Sequence, residues 1–548
     1  MNMTRIPQNN NLNPFYSERL SSVFVFCSWM IIAGMFSVIF GQDNNWDLRN
    51  YHIYNAYAFY FDRSQLDILP AQLQSFFNPL ADIWLLFLIG SFKPIVEGFI
   101  LGAIHGINYF LIFIISLQTL INVPHHKITY RHYALTITPF RIALLLSLAA
   151  FIAPDSINLL GTSYHDNLIS IPILLSIWLI LLALQNSQNS TLQWIFLGGA
   201  AAGLSFGLKM TSGIYILASG AALSIVIPRV TGKIKVLAIY AGGFIGGAIL
   251  TGGFWYLKLY QEFGNPIFPW FNNIFKSPEL LDQAFRDLRF LPSSLWDGLS
   301  YPLQFMYASD YTYTGGGFRD ARFAILFICL IILAYQIVRR RRDGSKAIGF
   351  SKAAIFILSF SFISYSIWIV QFSIYRYLFI VEALAFVCIA TIIYQLSASN
   401  KKATLILVCI TLICLVYGSY PRNDRIRWQD HYINAYIPNL EGLDSSMVFL
   451  GGNRPTAFLI PGFPETTRFV RLNSNLHGML SPNSNFHIQT TEAVMSHKNN
   501  FYMISWDKFF SVEKEVLSRF DLEIDTTISW QIPNPHEPQL IFWRVNRK

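Results

Sequence analysis

An unbroken row of about 20 apolar residues is long enough to cross the hydrocarbon core of a bilayer as a helix. This chain repeats such rows from end to end. They cover roughly 21–41, 95–119, 142–155, 167–185, 194–208, 212–228, 234–256, 321–338, 353–373, 376–396 and 403–419. Only 13% of the 548 residues are charged, against about 25% in soluble domains. The sequence therefore predicts an α-helical polytopic membrane protein of about eleven transmembrane helices. The first row follows Arg5 and Arg19 and lacks a small-residue cleavage site, so it reads as a retained helix. The five cysteines lie inside apolar rows and read as packing residues.

Net charge is +9, but in a membrane chain Lys and Arg report orientation first. With the N-terminus inside, the even-numbered gaps hold Lys127, Arg131 and Arg141, then Arg229, Lys233 and Lys235, then Arg339 to Arg342, then Lys401 and Lys402. That alternation holds only if "NPLADIWLLFLIGSF" (78–92), with Asp82 and flanking prolines, lies at the interface and does not span. The predicted organisation is a cytoplasmic N-terminus (1–20), a membrane module (21–419) with outer loops 42–94 and 257–320, and an outer α/β domain (420–548). In that domain "MVFLGGNRPTAFLI" reads as strand–turn–helix and "NFYMISW" as a further strand. No nucleic-acid motif and no internal repeat is present.

Four charged residues stand out, and two of them, Lys209 and Arg376, sit where charge is costly unless paired or used. Asp47 stands in "NNWDLRNYHIYNAY"; on an α-helix it shares a face with Tyr51 and Asn55. Asp166 opens the fourth row, beside His165. Lys209 interrupts an apolar hairpin in "GLKMTSG", and Arg376, followed by Tyr377, opens the tenth row. The charge count places all four at one membrane face. Bland readings exist for each: a belt helix with a solvated acid, a helix N-cap, snorkelling cations. Glu382 lies deeper in the tenth row, as an ion-pair partner or a minor part of a site. His52 and His165 each adjoin an acid, but two histidines without further ligand spacing make a weak zinc case.

Taken in order, these motifs resemble the GT-C superfamily of polytopic glycosyltransferases, such as lipid A aminoarabinose transferases and protein mannosyltransferases. The matching features, over about residues 20–400, are Asp47 with Tyr51, "FFNPLADIW", Asp166 in "HDNLISI", Lys209 in "GLKMTSG", and Arg376–Tyr377. The chain departs from the pattern at Asn78, where some relatives carry Lys, and after Lys209, where Met-Thr replaces Gly-Pro. The resemblance implies a polyprenyl-phosphate-linked sugar donor and a lipid or glycan acceptor at the outer face of a bacterial inner membrane. It implies Asp47 as general base, with Asp43 as fallback. Asp166 would orient the acceptor or hold a divalent cation (Mg or Mn). Tyr51, His52 and His165 would position the acceptor, and Lys209, Arg376 and Tyr377 would bind donor phosphate. A single displacement would invert the anomeric centre, and loop 257–320 would serve as a lid. The alternatives are a polysaccharide polymerase or ligase, and a lipid-linked glycan flippase or transporter.

Overall fold

A computed structural model of the chain describes residues 14–120, 126–130, 133–185, 191–307, 318–419, 424–506, 510–537 and 539–548. Of the sequence expectations, the segment before residue 14, Arg131 and the stretch 308–317 lie outside the described residues.

The apolar rows fold as helices. In chain order they are α1 (Pro14–Phe40), α2 (Ile53–Tyr60), α3 (Leu80–Ser91), α4 (Pro94–Thr119), α5 (Pro139–Phe151), α6 (Pro154–Asn158), α7 (Asp166–Gln185), α8 (Thr191–Leu208), α9 (Gly213–Val226), α10 (Val230–Phe263), α11 (Asn272–Phe275), α12 (Leu295–Gln304), α13 (Arg322–Arg342), α14 (Lys352–Gln371), α15 (Phe379–Leu396) and α16 (Asn400–Tyr417). Nine helices among the described residues are long and apolar enough to span. The expected count of eleven is not confirmed, since α5 and α9 have 13 and 14 residues, fewer than the ~20 of a typical span. Helix α3, with 12 residues, is likewise too short, as the interfacial reading of 78–92 requires.

Two sequence patterns decide who packs where. Beyond Glu382, α15 is apolar on nearly all sides and its span is 89% buried, whereas α10 is 17% buried. A helix apolar all round suits the bundle centre; a helix with one small-residue stripe suits the rim. That stripe is glycine. A Cβ on Gly199 or Gly203 would stand 2.1 Å from the carbonyl oxygen of Tyr240 or Phe244, and one on Gly243 or Gly247 would stand 2.1 Å from that of Phe196 or Ala200. So α8 and α10 touch backbone to backbone, the small-xxx-small packing of membrane helices.

Outside the bundle, a five-stranded sheet has the order β6-β5-β7-β9-β8. Two short pairs precede it: β1 (Gln42–Asp43) with β4 (Arg425–Ile426), and β2 (His126–Tyr130) with β3 (Tyr133–Ile137). Strands β5 (Met447–Leu450), β6 (Arg468–Arg471) and β7 (Phe501–Trp506) are parallel. Strands β8 (Leu522–Gln531) and β9 (Leu540–Arg547) continue the sheet antiparallel. Strand β5 is buried along its whole length, which is why it reads as four apolar residues in a row. The helix expected after it is a 3-10 turn, Ala457–Gly462, with Pro461 inside. Helices α17 (Asn485–Ser496) and α18 (Phe510–Ser518) flank the sheet. The sheet shares its core with the first loop: Leu48, Tyr51, Tyr54 and Tyr57 pack with Val448, Leu450, Phe458 and Phe542.

Candidate active site

The first loop leaves α1 through Gly41, at φ +102°, where a Cβ would meet the Ile426 carbonyl at 2.7 Å. Only glycine allows that close pairing of β1 on β4. Asp43 is then used up locally. Its carboxylate accepts from the Asn45 side chain at 2.9 Å and from the Ser163 backbone N–H at 2.7 Å. This ties the loop to the turn before α7 and leaves Asp47 as the loop acid that faces cations.

The backbone from Leu48 to His52 makes a π turn, a feature often found at functional sites. The wider turn changes the face predicted for an α-helix. Tyr51 stays beside Asp47, its hydroxyl 3.5 Å from Oδ2. Asn55 instead donates to the Gln74 and Phe77 carbonyls.

Four distant segments meet above the bundle. Arg376 Nη1 donates to Asp47 Oδ2 at 2.8 Å. Lys209 Nζ donates to Asp166 Oδ1 at 2.9 Å, and Arg376 Nε lies 3.6 Å from Asp166 Oδ2. The Arg376 guanidinium stands 4.3 Å from the Tyr164 ring centroid, and Lys209 Nζ lies 5.2 Å from that of Tyr377. Burial works against the Asp47 carboxylate, but Arg376, His52 and Lys209 outweigh it and hold its pKa below the ordinary value. Burial and the Asp47 charge push the Tyr51 phenol well up, so Tyr51 is a neutral donor.

Supporting contacts fix these side chains. Arg376 sits on a 3-10 turn, Tyr375–Leu378. The Tyr375 hydroxyl reaches Asp320 at 2.8 Å and Glu382 at 2.9 Å, and Arg322 donates to Asp320 at 2.9 Å. Glu382 therefore belongs to a buried network below the site. Asn78, where the sequence departs from the family pattern, is a strut: its amide donates to the Gly207 and Thr251 carbonyls at 2.7 and 2.9 Å. It holds the end of α8, and so Lys209, against α10.

His52 and His165 turn away from Asp47 onto Asp82. His52 Nδ1 lies 2.6 Å and His165 Nε2 2.8 Å from the same Asp82 oxygen. The sequence reading used Asp82 only as evidence against a span. Its neighbourhood is invisible there, because 30 residues separate it from His52 and 83 from His165. Burial would raise Asp82, but the two histidines bring its pKa below the ordinary value. An all-oxygen magnesium site, needing about six ligands, fits Asp47 and Asp166 poorly, since both already hold protein cations.

A cleft of about 760 Å³ lies elsewhere, between the first loop, α10 and α17. Tyr54, Phe76, Trp255, Phe486 and Glu492 are among its walls; Asp47, Asp166, Lys209 and Arg376 are not.

No family model and no curated protein matches the chain. Among solved structures it is similar to that of ArnT from Cupriavidus metallidurans, determined bound to undecaprenyl phosphate. The identity is 10% and the TM-score 0.49, over 96% of this chain and 98% of that one. It is also similar to the archaeal oligosaccharyltransferase AglB from Archaeoglobus fulgidus, determined with an inhibitory peptide and a dolichol-phosphate. There the identity is 10% and the TM-score 0.47, over 92% and 71%. At 10% identity neither assigns a residue's role or a substrate to this chain.

Proposed function

We propose that this chain is a membrane glycosyltransferase that moves a sugar from a polyprenyl-phosphate-linked donor to an acceptor hydroxyl at the extracytoplasmic face. The observation that carries the reading is the meeting of Asp47, Asp166, Lys209 and Arg376, from four distant segments, within ion-pair distance at one end of the bundle. Charges held at that depth are costly unless used. Two acids and two cations are what transfer from a lipid phosphate needs. Asp47 accepts the acceptor's proton as the oxygen attacks the anomeric carbon. The bond to the phosphate oxygen breaks, and the departing phosphate charge is met by the Arg376 fork and the Lys209 point charge. Asp47 and Asp166 release part of their hold on those cations as the phosphate takes them. The attack comes from the face opposite the leaving group and inverts the centre.

Orientation rests on the same geometry. Arg322 opens α13 beside Asp320, at the end that carries Arg376. Arg339 to Arg342 close that helix, about 30 Å away at 1.5 Å per residue. Basic residues stay on the cytoplasmic side, which supports an outer position for the site and for the C-terminal sheet, in a bacterial inner membrane. A transporter would distribute polar groups along a path with alternating access; clustering at one end supports one-sided chemistry.

The test is purified protein with radiolabelled polyprenyl-phosphate sugars and cell-envelope lipid or glycan acceptors. Transfer by wild type, with at least a hundredfold loss in Asp47→Asn, is the expected result. Undiminished transfer in Asp47→Asn removes the base assignment. Movement of the labelled lipid across proteoliposomes without transfer selects the transporter.

A further inference from the structure

We infer that His52, Asp82 and His165 form a binding site for a divalent transition-metal ion, which clamps the Asp47 loop to the interfacial helix α3 and the start of α7. The three residues come from three separate elements. All are buried, and one ligand atom from each lies within 4.8 Å of the others. The two imidazole rings have centroids 4.2 Å apart and planes at 60° to each other.

Hydrogen bonding accounts for part of this arrangement only. His52 Nδ1 bonds Asp82 Oδ1 at 2.6 Å. His165 Nε2 approaches the same oxygen at 2.8 Å but without hydrogen-bond geometry. The second Asp82 oxygen and His52 Nε2 are buried without any hydrogen-bond partner. Leaving such atoms unpaired is costly. A cation held between the two imidazoles and the carboxylate would satisfy these atoms. Two imidazoles and one carboxylate are borderline ligands. They suit zinc, manganese or iron, and not the all-oxygen magnesium or calcium. A three-ligand set of this kind leaves a coordination position open.

The metal's position differs from the divalent ion that the sequence reading allowed at Asp166. Tyr51 bridges the two centres: its ring lies 4.0 Å from that of His52 and its hydroxyl 3.5 Å from Asp47. The role as a clamp on the catalytic loop rests on the transferase reading; the metal site itself does not.

Full-length protein is purified in detergent, stripped with chelator, incubated with zinc or cobalt(II), desalted and analysed by elemental mass spectrometry and optical absorption. The expected wild-type result is about one metal per chain and cobalt d–d bands of low-symmetry N/O coordination. Asp82→Asn keeps the side-chain shape and loses the charged ligand, and His165→Asn removes one imidazole. Each should lower metal affinity at least tenfold and abolish the zinc-induced rise in Tm. A thermal melt without metal shows that the variants are folded. Asp47→Asn should bind metal as wild type does, whether or not it transfers sugar. Wild type that holds no zinc or cobalt overturns the site, as does loss of metal in Asp47→Asn with retention in Asp82→Asn.

Discussion

A buried salt bridge is a poor reason for stability, because desolvating both charges costs about what their attraction returns. The Asp47–Arg376 and Asp166–Lys209 pairs are better read as stored charge. Arg376 faces Asp47 and Asp166 with a planar fork whose edge fits phosphate. Arg376→Lys keeps the charge and loses the fork. Its kcat/KM for the lipid-linked donor should fall about 10–100-fold, read as a titration of donor at saturating acceptor; an unchanged kcat/KM would remove Arg376 from the phosphate site. Asn78 marks the limit of motif transfer. Where some members of the resembled family carry Lys, the Asn78 amide binds two backbone carbonyls, a role no short motif announces.

At the scale of elements, the α8–α10 contact makes the sharpest mutational contrast. Gly203 has the Phe244 carbonyl 2.1 Å from where its Cβ would be, and Gly242, on the same α10 helix as Phe244, has nothing within 4 Å. Gly203→Ala must push two helices apart and should lower stability by about 1–3 kcal/mol. Gly242→Ala should be neutral or stabilising, by up to about 1 kcal/mol. Denaturation of the detergent-solubilised protein, followed by tryptophan fluorescence, checks both. Since Lys209 follows directly on α8, Gly203→Ala should also weaken transfer while Gly242→Ala does not. This glycine stripe is plain in the sequence as Gly199, Gly203 and Gly207, with Gly243 and Gly247 facing it. What one sequence cannot say is which two glycine-bearing helices meet.

On the scale of the whole molecule, the C-terminal sheet and the first loop form one body around the site. Arg49 of the loop is ion-paired with Glu537, and both are buried. Arg49→Met leaves a buried carboxylate alone and should cost about 3–5 kcal/mol; Arg49→Met with Glu537→Leu should recover most of that, as a double-mutant cycle in Tm would measure. His536 bonds Asn44 at 2.7 Å and the Tyr432 carbonyl at 2.9 Å. Burial, with help from the Arg49 charge, lowers its pKa to about 4. Unfolded histidine binds a proton below about 6.5, so between about 6.5 and 4 the unfolded chain holds the extra proton. Stability is therefore lost as pH falls through that window, by about 1–3 kcal/mol. His536→Asn should flatten the dependence, seen as a smaller Tm drop between pH 7 and pH 4.5.

Much of this was open to reading in one dimension. Hydrocarbon thickness sets helix length, so spans declare themselves as apolar rows, and α3 as a row that carries Asp82, is bracketed by prolines and breaks the charge alternation if it spans. Unpaired charge is expensive in a bilayer, so Lys209 and Arg376 stood out against an apolar background, and Asp47 and Asp166 by their place at the same membrane face. Their meeting was an inference there and is a set of distances here. The rest needed three dimensions because it depends on contacts between residues far apart in the chain. The π turn that moves Asn55 off the Asp47 face, the capture of Asp43 by Ser163, the sharing of one core by the first loop and the sheet, and the placing of Asp82 between His52 and His165 leave no periodic trace. The sequence by itself determined that this chain lives in a membrane and which charges must matter. Only the tertiary structure decided which of them touch, because burial cost is a property of the residue and pairing is a property of the fold.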